Sequence, residues 1–322
     1  MAKIGLGLAA LGRPGYINLG HAEDLASEVS INAMRKNAHE VLDVAWELGV
    51  RYFDAARSYG RAEEFLGSWI RSRHISPDEI TIGSKWGYTY TAAWQVELPM
   101  GVAHEVKRHE LPVLKSQYAA TINNLGTHLN LYQIHSATLE SGVLENQDVL
   151  EFLNRVRQAG IQVGVSVSGP RQSETIEKAI SIKFDDVPLF GSVQATWNLL
   201  ERSAAPALAQ ARGRGLTVIV KEAVANGRLT TKNQEPEFAA KYRLLQLVAA
   251  ENETTIDAIS IAAALNQSWA NVVLSGAANL HHLKSNLAAQ AVNWSDEISK
   301  QLDSLTETPQ QYWATRSHLA WN

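Results

Sequence analysis

Four side chains carry most of the chemistry this sequence can offer. Asp54 and Tyr59 stand five residues apart in RYFDAARSYG, Lys85 sits in SKWG, and His135 sits in LYQIHS. Each follows or closes a short apolar run. A carboxylate can offset the desolvation of a buried ammonium, so Asp54 is the expected partner of Lys85. A charged lysine beside a phenol favours phenolate. That predicts a lowered pKa for Tyr59, making it a proton donor and acceptor near neutral pH, while His135 hydrogen-bonds and orients a substrate oxygen. Singly, each has an ordinary structural reading as a capping aspartate, a half-buried aromatic, a snorkelling lysine or a core histidine. Jointly, four such groups on neighbouring strand ends are costly to bury without a common purpose.

The elements that must position them alternate along the chain. Runs rich in β-branched residues begin near Ile4, Arg51, Ile80, Leu129, Ile161, Ser192, Thr217 and Asn271. Between them apolar residues recur at helical spacing, as in Ala38, Val41, Leu42, Ala45 and Leu48, or Leu114, Tyr118, Ile122 and Leu125. Eight βα units without a dividing linker predict one closed (β/α)8 TIM barrel over residues 1–322. Such barrels build their sites at the C-terminal strand ends, where Asp54, Lys85 and His135 fall. The connections from Gly12 to Arg35 and from Tyr88 to Leu111 would overhang that face, and the tail 309–322 would fold back over it.

Composition excludes several classes. The 322 residues are 45% hydrophobic, and 29 basic against 33 acidic side chains leave a net charge of -4 without long like-charge blocks. Nothing here draws the chain to nucleic acid or a membrane, and a small-molecule partner is expected, with no obligate protein partner evident. Cysteine is absent, which rules out disulfides and thiolate chemistry and suits a reducing, cytoplasmic setting. Glycines 5, 7 and 12 and the Arg13-Pro14 pair argue against a signal peptide at the start, which reads as a strand. The three N-x-S/T sequences at Asn252, Asn266 and Asn293 read as chance.

Near-matches to other motifs fail. Gly5-x-Gly7-x-x-Ala10 has too few residues before it for a dinucleotide-binding strand, and His104-Glu105 with His109 misses the zinc-protease spacing by one. Ser166 in GVSVSG resembles a nucleophile elbow, but Ser168 stands where glycine is needed. A metal-dependent barrel using Asp54, His135 and Glu222 is a rival reading; no metal is expected.

FDAARSYG, SKWG and LYQIHS resemble the three active-site blocks of the aldo-keto reductases, in the same order, and the resemblance runs through the whole chain. ELGVRYFDAARSYGRAEEFLGSWI and NNLGTHLNLYQIHS are its closest stretches. It implies an eight-stranded barrel, a nicotinamide cofactor bound without a Rossmann domain, and a catalytic tetrad at Asp54, Tyr59, Lys85 and His135. The implied cofactor positions are Ser166 and Gln194 for the carboxamide and Val224, Ala225 and Gly227 beside the pyrophosphate. Gly276, Ala277, His282 and Asn286 map to the adenosine phosphate and adenine. Val167 replaces the family's usual asparagine, and Lys221 aligns with the aromatic that stacks on the nicotinamide. NADP(H) is expected ahead of NAD(H), with His282 and Gly276 where many members carry arginine or lysine. The reaction implied is hydride transfer to or from an aldehyde, ketone or alcohol such as a sugar; the alternative within the family is a cofactor-sensing subunit with little turnover. For the substrate, the sequence offers Arg57, which could select an anionic or hydroxylated substrate or else be salt-bridged to Glu63 or Glu64, and Trp86, Tyr90 and Trp94, together with Trp313 and Trp321 of the tail, which could line a pocket or else pack the loops onto the barrel.

Overall fold

The computed structural model describes residues 2–25 and 29–322. Eight parallel strands close into a barrel: β1 (Lys3–Gly7), β2 (Tyr52–Asp54), β3 (Thr81–Trp86), β4 (Leu129–Ala137), β5 (Gln162–Val167), β6 (Ser192–Thr196), β7 (Thr217–Lys221) and β8 (Val272–Ser275). Each pairs with its sequence neighbours, and β1 closes the ring against β8 through Ile4 opposite Val273. All eight expected strands are present, so the (β/α)8 fold read from the alternation is the fold of the chain.

The helices lie between the strands because their apolar faces match the barrel wall. In helix Ile31–Glu47, Met34, Ala38, Val41, Leu42 and Ala45 are buried, and the Ser30 side chain caps the first turn by accepting from the Ala33 amide. Leu48, expected on the same face, lies just past the helix end and is exposed. Helix Ile256–Leu265 is buried at every position but Asp257, consistent with its nearly unbroken apolar sequence. Among the described residues no helix is long and apolar enough to cross a membrane.

Inside the barrel the two halves differ. Tyr52, Leu131, Ile219, Val272 and Leu274, from β2, β4, β7 and β8, form an apolar plug of their own, whereas Asp54, Lys85, Gln133, Ser166 and Gln194, one each from β2 to β6, are buried polar groups. Alternation along β2 turns Tyr52 and Asp54 inward and Phe53 outward to the helix layer. Beyond the C-terminal ends lies a cavity of about 810 Å³. Two connections and the tail stand around it. Residues 88–107 form an antiparallel hairpin in which Tyr88 pairs with Lys107. Tyr16 and Asn322 exchange backbone hydrogen bonds of 3.1 and 3.2 Å, and the Asn322 side chain reaches Asn18 and Ala22.

Arg57 does not face this cavity. Its guanidinium turns to the outside of the barrel and pairs with Glu63. The buried Glu63 also accepts from Ser84 Oγ (2.6 Å), Thr121 Oγ1 (2.7 Å) and Asn124 Nδ2 (3.2 Å). Of the two readings of Arg57, a substrate-selecting residue or the partner of Glu63 or Glu64, the structure shows the Glu63 pair, and the placement of Arg57 in the substrate pocket is corrected. Arg57→Met should therefore destabilise the fold by about 1–3 kcal/mol through Glu63, while turnover stays within about twofold of wild type, as thermal unfolding and a rate assay on the same sample would show.

Two core histidines make stability depend on pH. Burial, as the leading cause, pushes His21 and His109 down from 6.5 to about 4. The unfolded chain then holds protons more tightly than the folded one. Their stabilisation is present above about pH 6.5 and is lost as pH falls toward 4. Denaturant titrations at pH 7 and pH 5 should differ by roughly 2 kcal/mol per histidine, and His21→Phe should flatten that dependence.

Candidate active site

The turn after β2 is tied to β3 by its backbone. Ala55 N–H donates to Gly83 O (2.8 Å) and Arg57 N–H to Lys85 O (2.9 Å). Tyr59 is then fixed by a close approach of the first connection, where Arg61 N–H donates to Gly12 O at 2.7 Å. A Cβ on Gly60, whose φ is +58°, would lie 2.3 Å from Gly12 O, and one on Gly12 would lie 2.3 Å from Tyr59 O. Only glycines let the two backbones touch here.

The four expected side chains come together. Lys85 is fully buried, donates to Asp54 and to Ala55 O (2.9 Å), and sits 4.8 Å from the centroid of the Tyr59 ring. Asp54 also accepts from Gln194 Nε2 at 2.9 Å. The His135 ring meets the Tyr59 ring edge-on, 5.5 Å between centroids, and packs on Tyr88 at 4.9 Å. His135 occupies an irregularity in β4, where the register shifts between Ile134 and Ala137 and Ser136 takes φ +50°; such a bulge re-aims a side chain. Asp54, Tyr59 and His135 line the cavity, while Lys85 lies behind Asp54.

The protonation states differ from the sequence expectation. Burial, followed by the Asp54 charge, holds the Tyr59 phenol well above its usual value of 10, and Arg13 opposes this without overcoming it. The expected lowering by Lys85 is absent because Asp54 answers that ammonium. Burial and then Lys85 hold His135 well below 6.5. At neutral pH the pair is a neutral phenol and a neutral imidazole.

Among the expected cofactor residues, Gln194, Lys221, Val224, Gly227, Gly276, Ala277, His282 and Asn286 line the cavity. Ala225 does not, being packed into the core. Ser166 is fully buried beside Gln194 in the β5–β6 register, and its hydroxyl has no partner. Ser166 is not itself on the cavity wall, but its unpartnered hydroxyl lies one strand from Gln194, which is; a carboxamide entering between them would satisfy that hydroxyl, so the residues present fit a nicotinamide. Lys221 extends over the tail, 5.8 Å from the Trp313 ring, donates to Thr196 Oγ1 (2.8 Å), and is pushed by burial down to about 8. At the far end His282 and Lys232 lie 3.4 and 2.9 Å from Asp24, with Lys284 nearby on the cavity wall. Among the described residues no cluster of three or more metal-ligating side chains occurs.

The third-connection aromatics lie elsewhere. Trp86 is fully buried against His109, 5.6 Å between rings. Trp94 donates to Val29 O (2.7 Å) and packs edge-on against Phe65, clamping two connections together. Tyr90 lies on the hairpin away from the cavity. None of the three lines the cavity, because Trp86 is buried at the end of β3 and Trp94 is held between two connections, and their placement in the substrate pocket is corrected.

Residues the sequence did not single out replace them: Arg13, Tyr16, Glu105 and Arg316 line the inner cavity. Arg13 is 1% exposed. Its Nη1 donates to Ser58 O and to Glu105, each at 2.8 Å, and its guanidinium lies 5.3 Å from the Tyr59 ring, 5.4 Å from Tyr16 and 4.7 Å from Trp321. Arg316 pairs with Glu222, which also accepts from Thr196. An isolated arginine in a Gly-Pro segment and one in a tail helix carry no periodic signal that would mark them.

The chain matches the family model described as "Aldo/keto reductase family" over residues 3–307. An uncharacterised oxidoreductase of Bacillus subtilis, YqkF, is 25% identical over 316 residues, covering 90% of this chain and 95% of its own. D-threo-aldose 1-dehydrogenase of a Pseudomonas species is 25% identical over 260 residues, covering 76% and 74%. Among solved structures, the holo form of aldo-keto reductase AKR11C1 from Bacillus halodurans shares the fold, with TM-score 0.67 and 18% identity over 95% of this chain and 92% of that one. With the barrel, the gathered strand-end residues and a match across nearly its whole length, the chain belongs to the aldo/keto reductase family of oxidoreductases.

Proposed function

We propose that the protein moves a hydride between NADP(H) and an aldehyde or ketone, or the corresponding alcohol, with Tyr59 as general acid and base. The observation that carries this reading is the convergence of Tyr59 and His135 on one cavity wall, 5.5 Å apart, with the Lys85–Asp54 pair buried behind them. A nicotinamide bound here supplies or accepts the hydride. Ser166 and Gln194 would hold its carboxamide, and Val224 and Gly227 would lie along its pyrophosphate. In the reducing direction the neutral imidazole of His135 donates to the carbonyl oxygen and aligns it. Tyr59, protonated at rest, delivers its proton as negative charge builds on that oxygen. Lys85 then steadies the phenolate, and Asp54 keeps Lys85 charged in a dry setting.

The preference for NADP(H) over NAD(H) rests on His282 and Lys284 at the far end, although Asp24 and Asp257 share that end. In this reading residues 1–322 act as one unit, the tail 309–322 forms part of the substrate wall, and the cysteine-free chain works in the cytoplasm.

Tyr59→Phe should lower kcat for aldehyde reduction about 100- to 10,000-fold while cofactor affinity is retained; full activity in that variant would sink the mechanism. Fluorescence titration with NADPH and NADH in parallel tests the cofactor. Tighter binding of NADPH supports the assignment, and equal or weaker binding overturns it. Tight binding without turnover of any aldehyde or sugar would instead mark a sensing subunit.

A further inference from the structure

The inner cavity holds more positive charge than its own carboxylates answer. Arg13 and Glu105 form one pair. Arg316 takes Glu222 with two bonds from Nε, at 2.9 and 3.1 Å, and a further one from Nη2. Lys85 takes Asp54. Lys221 is left over: its ammonium donates to a neutral hydroxyl, Thr196 Oγ1, and stands 3.8 Å from a Glu222 already engaged by Arg316. His135 is neutral. The reaction site therefore carries one uncompensated cation.

Arg13 adds geometry to that charge. Both of its protein hydrogen bonds leave from Nη1. Its Nε is buried without a partner, and Nη2 has no partner among the described residues. Three rings, Tyr16, Tyr59 and Trp321, hold the guanidinium in place, so it cannot swing out to water. A guanidinium fixed between aromatic faces with unused donors matches a planar carboxylate, and it does so beside the tyrosine that binds the reacting oxygen. A neutral sugar or simple aldehyde would leave the surplus charge buried and unanswered, which is costly.

We infer that the substrate is an oxo acid, an aldehyde or ketone that also bears a carboxylate, and that Arg13 and Lys221 are the residues that select it. This rests on the oxidoreductase reading above and names its substrate class. Arg13 occupies the selecting role that the sequence offered to Arg57.

The test compares matched pairs on the wild-type protein with NADPH: succinic semialdehyde against butanal, and 4-carboxybenzaldehyde against 4-methylbenzaldehyde. The charged member of at least one pair should show a kcat/KM tenfold or more above its neutral partner. In Lys221→Met, and separately in Arg13→Lys, the ratio should fall fivefold or more; because each ratio is taken within one variant, a uniform loss of folded or active protein cancels. A second arm uses calorimetry on the cofactor-loaded protein with butyrate and butyramide, which need no turnover. Binding of butyrate alone, weakened in Lys221→Met, supports the carboxylate site. Ratios of one or below in both pairs, or equal binding of butyrate and butyramide, overturn it. If no aldehyde is reduced but butyrate still binds, the carboxylate site stands and the oxidoreductase reading falls.

Discussion

A fully buried lysine at the end of a barrel strand is the constraint on which the site depends. Lys85 has no solvent to stabilise its charge, so Asp54, the Ala55 carbonyl and the surrounding strand ends must do so. That requirement draws β2, β3 and, through Gln194, β6 to one point. The same solution recurs outward. Arg13 ties the first connection to the hairpin through Glu105, and Arg316 ties the tail to the end of β7 through Glu222. The first pair joins two connections above the barrel, and the second joins the tail to the barrel itself. Removing one member would leave an uncompensated buried charge, worth about 3–5 kcal/mol of destabilisation.

Charge pairing also explains why the phenol behaves opposite to a simple reading of its neighbours. A lysine 4.8 Å from the Tyr59 ring suggests a lowered pKa. Seen from the ring, however, Lys85 is already paired with Asp54, and burial followed by the Asp54 charge pushes the phenol up. Proximity of opposite charge lowers a pKa only when that charge is not already answered.

The fold and the four gathered side chains were legible because both rest on short-range regularity. β-branched runs mark the eight strands, and a strand end fixes which face its last residues point to, so Asp54, Lys85 and His135 could be placed by position alone. The substrate wall follows no such rule. Arg57 and Arg13 are both arginines in connections near Tyr59; the Glu63 that holds Arg57 is six residues away and could be named from the sequence, but the Glu105 that holds Arg13 comes from a hairpin 92 residues on, which the local sequence does not disclose. Trp86 and Trp94 look like pocket aromatics by composition, yet packing against His109 and Phe65 takes them away from the cavity. Trp321 reached the cavity through a tail whose path is set by backbone pairing with Tyr16, a long-range contact without a periodic signature.

That pairing bears on how the protein acquires its function during folding. The contact between Ala22 and Asn322 spans 300 residues, and a closure over such a separation carries a large entropic cost until the intervening chain is already compact. Closing β1 on β8 sets Ile4 against Val273 and so brings the two ends of the chain together, which lowers the cost of seating the tail on the first connection. Trp321, which lies over Arg13, is held by that pairing, so this part of the cavity wall depends on the barrel having closed.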